Sequence, residues 1–176
     1  MMFKSFGLAA AFAATLSSAF PAIVPRNASG SDITGGVQIV NNLNVPVYAW
    51  SVADTVGSMQ TLAANGGSYS ENWRVNSNGG GVSIKLATTP SQDDVLQFEY
   101  TEAGSTIFWD LSCINMGTNS EFTKFGFAVT ANNPQCPSAV CKAGDTACAD
   151  AYLQPDDNEA THGCPINTGF TLAIGQ

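Results

Sequence analysis

The fold class this sequence predicts is all-β: an antiparallel β-sandwich with a small disulfide-held loop subdomain near the C-terminus. Three observations predict it. Short segments alternating apolar and polar residues recur at roughly the 8–12-residue spacing of sandwich strands. Clusters of Asn and Gly separate those segments, and no stretch of helical period runs beyond about two turns. The chain of 176 residues is 44% apolar and only 11% charged, with 17 Gly and 8 Pro, so it can bury a core yet has little solvated helix surface. Fourteen Asp and Glu against six Lys and Arg give a net charge of -8. Nucleic acid and anionic membranes need clustered cations, so neither is an expected partner.

From the N-terminus, Lys4, the apolar run 6–16 and the small residues Ser17-Ser18-Ala19 predict a signal peptide over residues 1–19, cleaved after Ala19. Pro21 and Arg26 end the run short of the roughly 20 residues a membrane span needs, so no membrane insertion is expected and the product is secreted. Residues 20–36 read as a flexible tail carrying the glycosylation sequon Asn27-Ala28-Ser29. The domain proper is residues 37–176. Val37-Gln38-Ile39-Val40 opens it as a strand, Asn41-Asn42 turns, and residues 45–51 form the next strand with an early Pro. Asn65-Gly66-Gly67 and Asn78-Gly79-Gly80-Gly81 read as hairpin turns, because Asn and Gly tolerate positive φ. Residues 68–75, 82–86, 96–100, 106–111 and 121–129 are further strand candidates. Residues 134–164 are short and polar, with one helix candidate over 145–152.

All five cysteines fall late: Cys113, Cys136, Cys141, Cys148 and Cys164. In a secreted chain they read as disulfides ahead of a zinc site of Cys136, Cys141, Cys148 and His162, whose spacings are not those of a zinc knuckle. The acidic run Asp145, Asp150, Asp156, Asp157 and Glu159 lacks the periodicity of a calcium loop and reads as a solvated face. No metal and no cofactor are expected. Nor does the single histidine, His162, provide a nucleophilic triad, and the Gly clusters do not precede helices as phosphate loops do.

Several segments together resemble thaumatin-like proteins. These are Val37-Gln38-Ile39-Val40-Asn41-Asn42 with residues 45–50, Phe108-Trp109-Asp110-Leu111-Ser112, and Cys148-Ala149-Asp150-Ala151-Tyr152 followed by Asp156-Asp157, Cys164-Pro165 and Phe170-Thr171-Leu172. The resemblance spans roughly residues 37–176. The length and low cysteine count are similar to the small secreted fungal members, the yeast-phase-specific and conidial-germination group. The resemblance implies disulfides Cys136–Cys164 and Cys141–Cys148, with Cys113 left as a free, buried thiol. It also implies that a family disulfide is missing here, with Leu43 and Gly175 at its two positions.

In the family a cleft between sandwich and disulfide region carries acids and is associated with β-1,3-glucan. By resemblance Glu99, Asp110 and either Asp156 or Asp157 take the places of the cleft acids, while Asn115 replaces a further one. The family's basic cleft residue falls near Ala87, with Lys85 nearby. Carboxylates accept hydrogen bonds from sugar hydroxyls, and aromatic faces stack on sugar rings. Trp109 and Tyr100 neighbour the acids but by alternation point to the opposite face, into the core. A glycosidase needs one protonated and one ionised carboxyl at a defined separation, for which Glu99 and Asp110 are the candidate catalytic pair. The expected activity is binding of β-glucan or another wall polysaccharide by a monomer at the cell wall or surface, in wall integrity, spore germination or host contact and virulence. The alternatives are a weak endo-β-1,3-glucanase and an effector or adhesin recognising a host surface protein. Asp110 is the pivotal residue. Its other possible role is to end a strand and accept backbone hydrogen bonds. Unshifted carboxylates titrate near 4, so acid-dependent binding is expected to fall below about pH 4.

Overall fold

The computed structural model describes residues 35–176. The expected signal peptide and the sequon at Asn27 lie outside the described residues. The chain enters through β1 (Gly36–Asn41), β2 (Val47–Val52), β3 (Gln60–Leu62) and β4 (Gly67–Asn72). Then come β5 (Val82–Ala87), β6 (Leu96–Ala103), β7 (Thr106–Ser112), the short helix α1 (Glu121–Phe125), β8 (Phe127–Ala131) and β9 (Ala139–Cys141). A single 3-10 turn at Asn158–Ala160, β10 (His162–Pro165) and β11 (Gly169–Ile174) complete the chain.

Two sheets result, one ordered β4-β1-β11-β8-β9 and the other β10-β7-β6-β5-β2-β3. Every pairing is antiparallel except β1 with β11, where first and last strands run parallel with Val37 opposite Phe170. The alternation seen in the sequence decides which side chains go inward. Val37 and Ile39, Ile84 and Leu86, Phe98 and Tyr100, Ile107, Trp109 and Leu111, and Phe170 and Leu172 are all buried between the sheets. Trp109 stacks on Phe98 at 5.9 Å between centroids and tilts against Phe170 at 4.9 Å. Burying each such large apolar side chain contributes about 1.5–3 kcal/mol.

The Asn-Gly turns adopt the expected backbone but not the expected role. Asn65 and Gly66 have φ of 60° and 113°. Their turn, however, carries the chain from β3 in the six-stranded sheet to β4 in the five-stranded one. The segment containing Gly79 likewise joins β4 to β5 across the sandwich. Buried Asn41 anchors the first crossing by donating to the carbonyls of Val45, Leu62 and Ala63 at 2.8–3.2 Å. The tight hairpin is instead β6–β7, closed at Gly104 with φ of 63°.

Residues 121–129 are only partly the expected strand. Ser120 accepts from the Phe122 N–H, Glu121 lies in the first turn facing Lys124 at 3.1 Å, and Gly126 ends the turn with φ of 73°. These end signals hold α1 against the strand propensity of its two phenylalanines, and β8 starts only at Phe127. The helix candidate at 145–152 is not helical. Asp145 accepts from the Ala147 N–H and Asp150 from the Val140 N–H, both within 2.9 Å, and the Cys141–Cys148 bond closes the segment into turns. The second disulfide, Cys136–Cys164, ties the loop after β8 to β10. Both pairings are those the resemblance implied, and the three cysteines of the discounted zinc set are thereby consumed. Leu43 is buried, and a Cβ at Gly175 would meet its Cδ2 at 3.0 Å. The two positions of the missing family disulfide are therefore in contact, filled by a leucine packed on a glycine.

Candidate functional site

The pleat of β7 sorts its side chains by parity. Ile107, Trp109 and Leu111 face the core, so Phe108 and Asp110 face outward. Because β6 and β7 form a tight hairpin, register sets Glu99 directly opposite Asp110. Opposed residues have Cβ atoms about 4.5–5.5 Å apart, so the two carboxylates interact. The row continues across the sheet: Ser83 opposes Glu99, and Val52 opposes Ser83. Together with Phe108 and Thr161 these residues line a cleft of about 410 Å³. That volume is in the usual range of small-ligand sites, about 300–1,000 Å³.

Asp110 is the electrostatic outlier of this cleft. Burial first, and the neighbouring Glu99 charge second, push its carboxyl from an ordinary 3.8 up to about 7. Its Oδ1 is buried and has no hydrogen-bond partner among the described residues. The residue lies inside β7 and does not end it, which removes the geometry on which a backbone-accepting role was expected. A buried acceptor without a partner costs stability, about 1–3 kcal/mol, unless a ligand or solvent supplies the donor. Its shifted titration also moves the expected pH dependence of any ligand contact from near 4 to near 7.

Asp156 and Asp157 do not join this pair. They line a separate cavity of about 430 Å³ with Cys148, Leu153, Asn158 and Glu159. Asp157 accepts from the N–H groups of Leu153 and Gln154, both at 2.8 Å, so its side chain folds its own loop. Tyr152 bonds Thr161 at 2.5 Å and is likewise structural. Cys113 is half-buried, and burial pushes its thiol up to about 11, which leaves little nucleophilic thiolate at neutral pH.

Two residues escaped the sequence reading. Phe108 is 44% exposed and lines the cleft beside Asp110, whereas the aromatics weighed from the sequence, Trp109 and Tyr100, are in the core. Its parity with Asp110 was the available signal. Glu71 had none. On β4, at the edge of the five-stranded sheet, it points inward and accepts from the Tyr69 hydroxyl at 2.6 Å and the Tyr100 hydroxyl at 2.5 Å. Arg74 approaches it at 3.5 Å and donates to Ser51. Burial and these bonds to Glu71 push both phenols well above their ordinary range.

Comparison with known proteins agrees with this architecture. Residues 26–176 match the Blastomyces yeast-phase-specific protein family. The chain is 39% identical over 175 residues to the secreted thaumatin-like protein calA of Emericella nidulans, covering 99% of this chain and 98% of that protein. It is 40% identical over 157 residues to the antigenic thaumatin-like protein of Arthroderma benhamiae, covering 89% and 78% of the two chains. Among solved structures it is similar to the protein elicitor MoHrip2 of Magnaporthe oryzae, with a TM-score of 0.66, 21% identity and coverage of 80% and 98%. Among the described residues no helix is long and apolar enough to cross a membrane. The matched family, the near-complete coverage of a fungal relative and the two-sheet fold lead to one conclusion: this chain is a secreted thaumatin-like protein of the Blastomyces yeast-phase-specific family.

Proposed function

We propose that this protein works at the cell wall or cell surface by binding β-glucan or another wall polysaccharide in the Glu99–Asp110 cleft. Such binding would act in wall integrity, germination or host contact. The observation that carries the reading is the Asp110 carboxyl, paired across the hairpin with Glu99 and holding a buried Oδ1 without a hydrogen-bond partner among the described residues. A sugar hydroxyl is a donor of the right size to satisfy such an oxygen, and the outward row of Ser83 and Thr161 adds neutral hydroxyls on either side. Neither the Asp156–Asp157 cavity nor Cys113 enters this reading.

One observation favours a second reading, weak endo-β-1,3-glucanase activity. Glycoside hydrolysis needs one carboxyl protonated near neutral pH beside a second that is ionised. Asp110, pushed up to about 7, has the protonation of a general acid, and Glu99 would then be the nucleophile or base. Incubating the mature protein with insoluble β-1,3-glucan separates the readings. Pelleting without release of reducing sugar is the expected result. Sugar release that disappears in Asp110→Asn would establish the hydrolase, and neither pelleting nor release would reject both and leave a protein partner.

A further inference from the structure

The edge of an open sheet presents unpaired N–H and C=O groups, which are a template for a further strand. The two sheets end in four edge strands, β4, β9, β10 and β3. Three of these are blunted by length or composition. β3 and β9 are three residues long, and β10 has four and ends on Pro165. β4 is different: Gly67-Ser68-Tyr69-Ser70-Glu71-Asn72 runs six residues with no Pro and no Lys. Its register with β1 decides which groups lie on the open side. The Trp73 N–H donates to the Gly35 carbonyl, so the β4 residues that exchange bonds with β1 are the odd-numbered ones. Ser68, Ser70 and Asn72 therefore turn their N–H and C=O groups to the free edge, and all three residues are exposed. Charge points to the same place. In a chain of net charge -8, the outward positions of the five-stranded sheet carry no ionisable residue. Beside Ser68 and Ser70 stand Val40 and Gln38.

We infer that β4 is a self-association edge, at which a second copy of this chain adds its own β4 antiparallel about a two-fold axis through Ser70. This goes beyond the cleft reading and does not rest on it. A two-fold pairing is self-complementary, so whatever opposes one residue is opposed by it in return. With Ser70 on the axis, Ser70 faces the partner's Ser70 and Ser68 faces the partner's Asn72. These are the residues whose backbone groups are open, so each opposed pair exchanges both its N–H and C=O bonds. An axis at Ser68 or Asn72 would leave some of those groups unpaired. Between them Tyr69 faces the partner's Glu71, so no carboxylate opposes another. Molecules of like net charge repel, and the uncharged side chains at this edge let two copies approach with least repulsion. The two five-stranded sheets then join into one continuous sheet. The contact is a single strand of about 20 Å, small against the roughly 1,200–2,000 Å² of a standard interface. Association is therefore weak and concentration-dependent, and the monomer expected from the sequence is the dilute form.

The test is sedimentation velocity of the secreted protein from about 10 μM to about 1 mM, with amide hydrogen exchange measured at both ends of the series. Wild type is expected to pass from monomer to dimer with a midpoint on the order of 100 μM. Its Ser68, Ser70 and Asn72 amides should exchange about fivefold slower in the concentrated sample. Ser70→Lys sets like charges face to face on the axis, and Ser70→Pro removes an N–H that the fold itself does not use. Each should weaken association at least about tenfold, with the melting temperature of the dilute protein nearly unchanged. Thr130→Lys, on the same outer face but away from the edge, should dimerise as wild type does. Should Ser70→Pro misfold, Ser70→Lys decides alone. Wild type that stays monomeric throughout the series overturns the inference. So does a dimer that Ser70→Lys leaves intact, or one that forms without protecting the Ser68, Ser70 and Asn72 amides. Weakening by Thr130→Lys as large as that by Ser70→Lys would move the contact to the sheet face and overturn the edge pairing.

Discussion

Two partly buried carboxylates sit on opposite sides of the six-stranded sheet and are treated in opposite ways. Glu71 reaches in from β4 toward the sheet-to-sheet corner, where two phenol hydroxyls and a guanidinium converge on it. Asp110 faces outward from β7, with one like charge beside it and an oxygen that has no partner among the described residues. The first is a clamp: it joins an edge strand of one sheet to the middle of the other through Tyr100. The second is a cost carried on a rigid strand, which is the arrangement expected where a ligand completes the bonding. Satisfaction of hydrogen bonds, more than burial or charge, separates the scaffold acid Glu71 from the proposed site acid Asp110.

The largest effect should come from dismantling the clamp. Glu71→Ala leaves two phenol hydroxyls without their acceptor, at about 1–3 kcal/mol for each buried donor, so denaturation should show a loss of about 2–6 kcal/mol. Glucan pelleting should be retained at temperatures where the variant is folded. A variant of wild-type stability would show that Glu71 is no more structural than Asp110.

Removing Cys136 and Cys164 together should cost about 3–4 kcal/mol, from the 28-residue separation they close. Because this bond holds β10, with Thr161 and Gly163 at the rim of the cleft, the loss should fall on the outer face. Hydrogen exchange should accelerate in β10 and remain slow in β4; uniform acceleration would erase the distinction between the two regions.

Asp110→Asn should act with the opposite sign. Between an ordinary 3.8 and about 7 the folded protein holds a proton on Asp110 that the unfolded chain has released. This group's contribution is therefore full below about pH 4, is lost as pH rises through about 7, and is constant above. The asparagine removes that loss, so the variant should be more stable than wild type above pH 7, by on the order of 4 kcal/mol, and equal to it near pH 4. Polysaccharide affinity should fall at the same time. A variant that melts lower at pH 8 and binds normally would return Asp110 to the scaffold.

The smallest change sharpens the clamp. Tyr69→Phe removes one of the two phenol donors while Tyr100 still bonds Glu71, so a loss of only about 1 kcal/mol is expected. A loss as large as that of Glu71→Ala would mean that the pair acts as one cooperative unit.

Much of the fold is legible in local pattern. Alternation in Thr106-Ile107-Phe108-Trp109-Asp110-Leu111 is enough to send Trp109 inward and Asp110 outward, and the short turn at Gly104-Ser105 is enough to pair Glu99 with Asp110. The strands of residues 37–40, 82–86 and 96–100 follow the same rule, because side-chain parity on a pleated strand depends only on neighbours in sequence. Disulfide pairing came from resemblance, and α1 was missed although Ser120, Glu121 and Gly126 mark its ends. Other features depend on residues far apart in the chain. The Asn65-Gly66 turn has the backbone its residues dictate, yet whether it closes a hairpin or crosses between sheets is decided by β1 pairing with β4 and by β3 pairing with β2. Likewise, no local signal tells that Glu71 will meet Tyr100 across the sandwich, that Gly163 will seat Phe108, or that Asp156 and Asp157 will line a different cavity from Glu99. The sequence by itself determined the strands, their faces and the acid pair on one hairpin, since these rest on a two-residue period and a tight turn. Which sheet each strand joins, and hence which acid is satisfied and which keeps an oxygen without a partner among the described residues, only the tertiary structure decided, because hydrogen-bond partners are contributed by whichever distant strands the packing brings together.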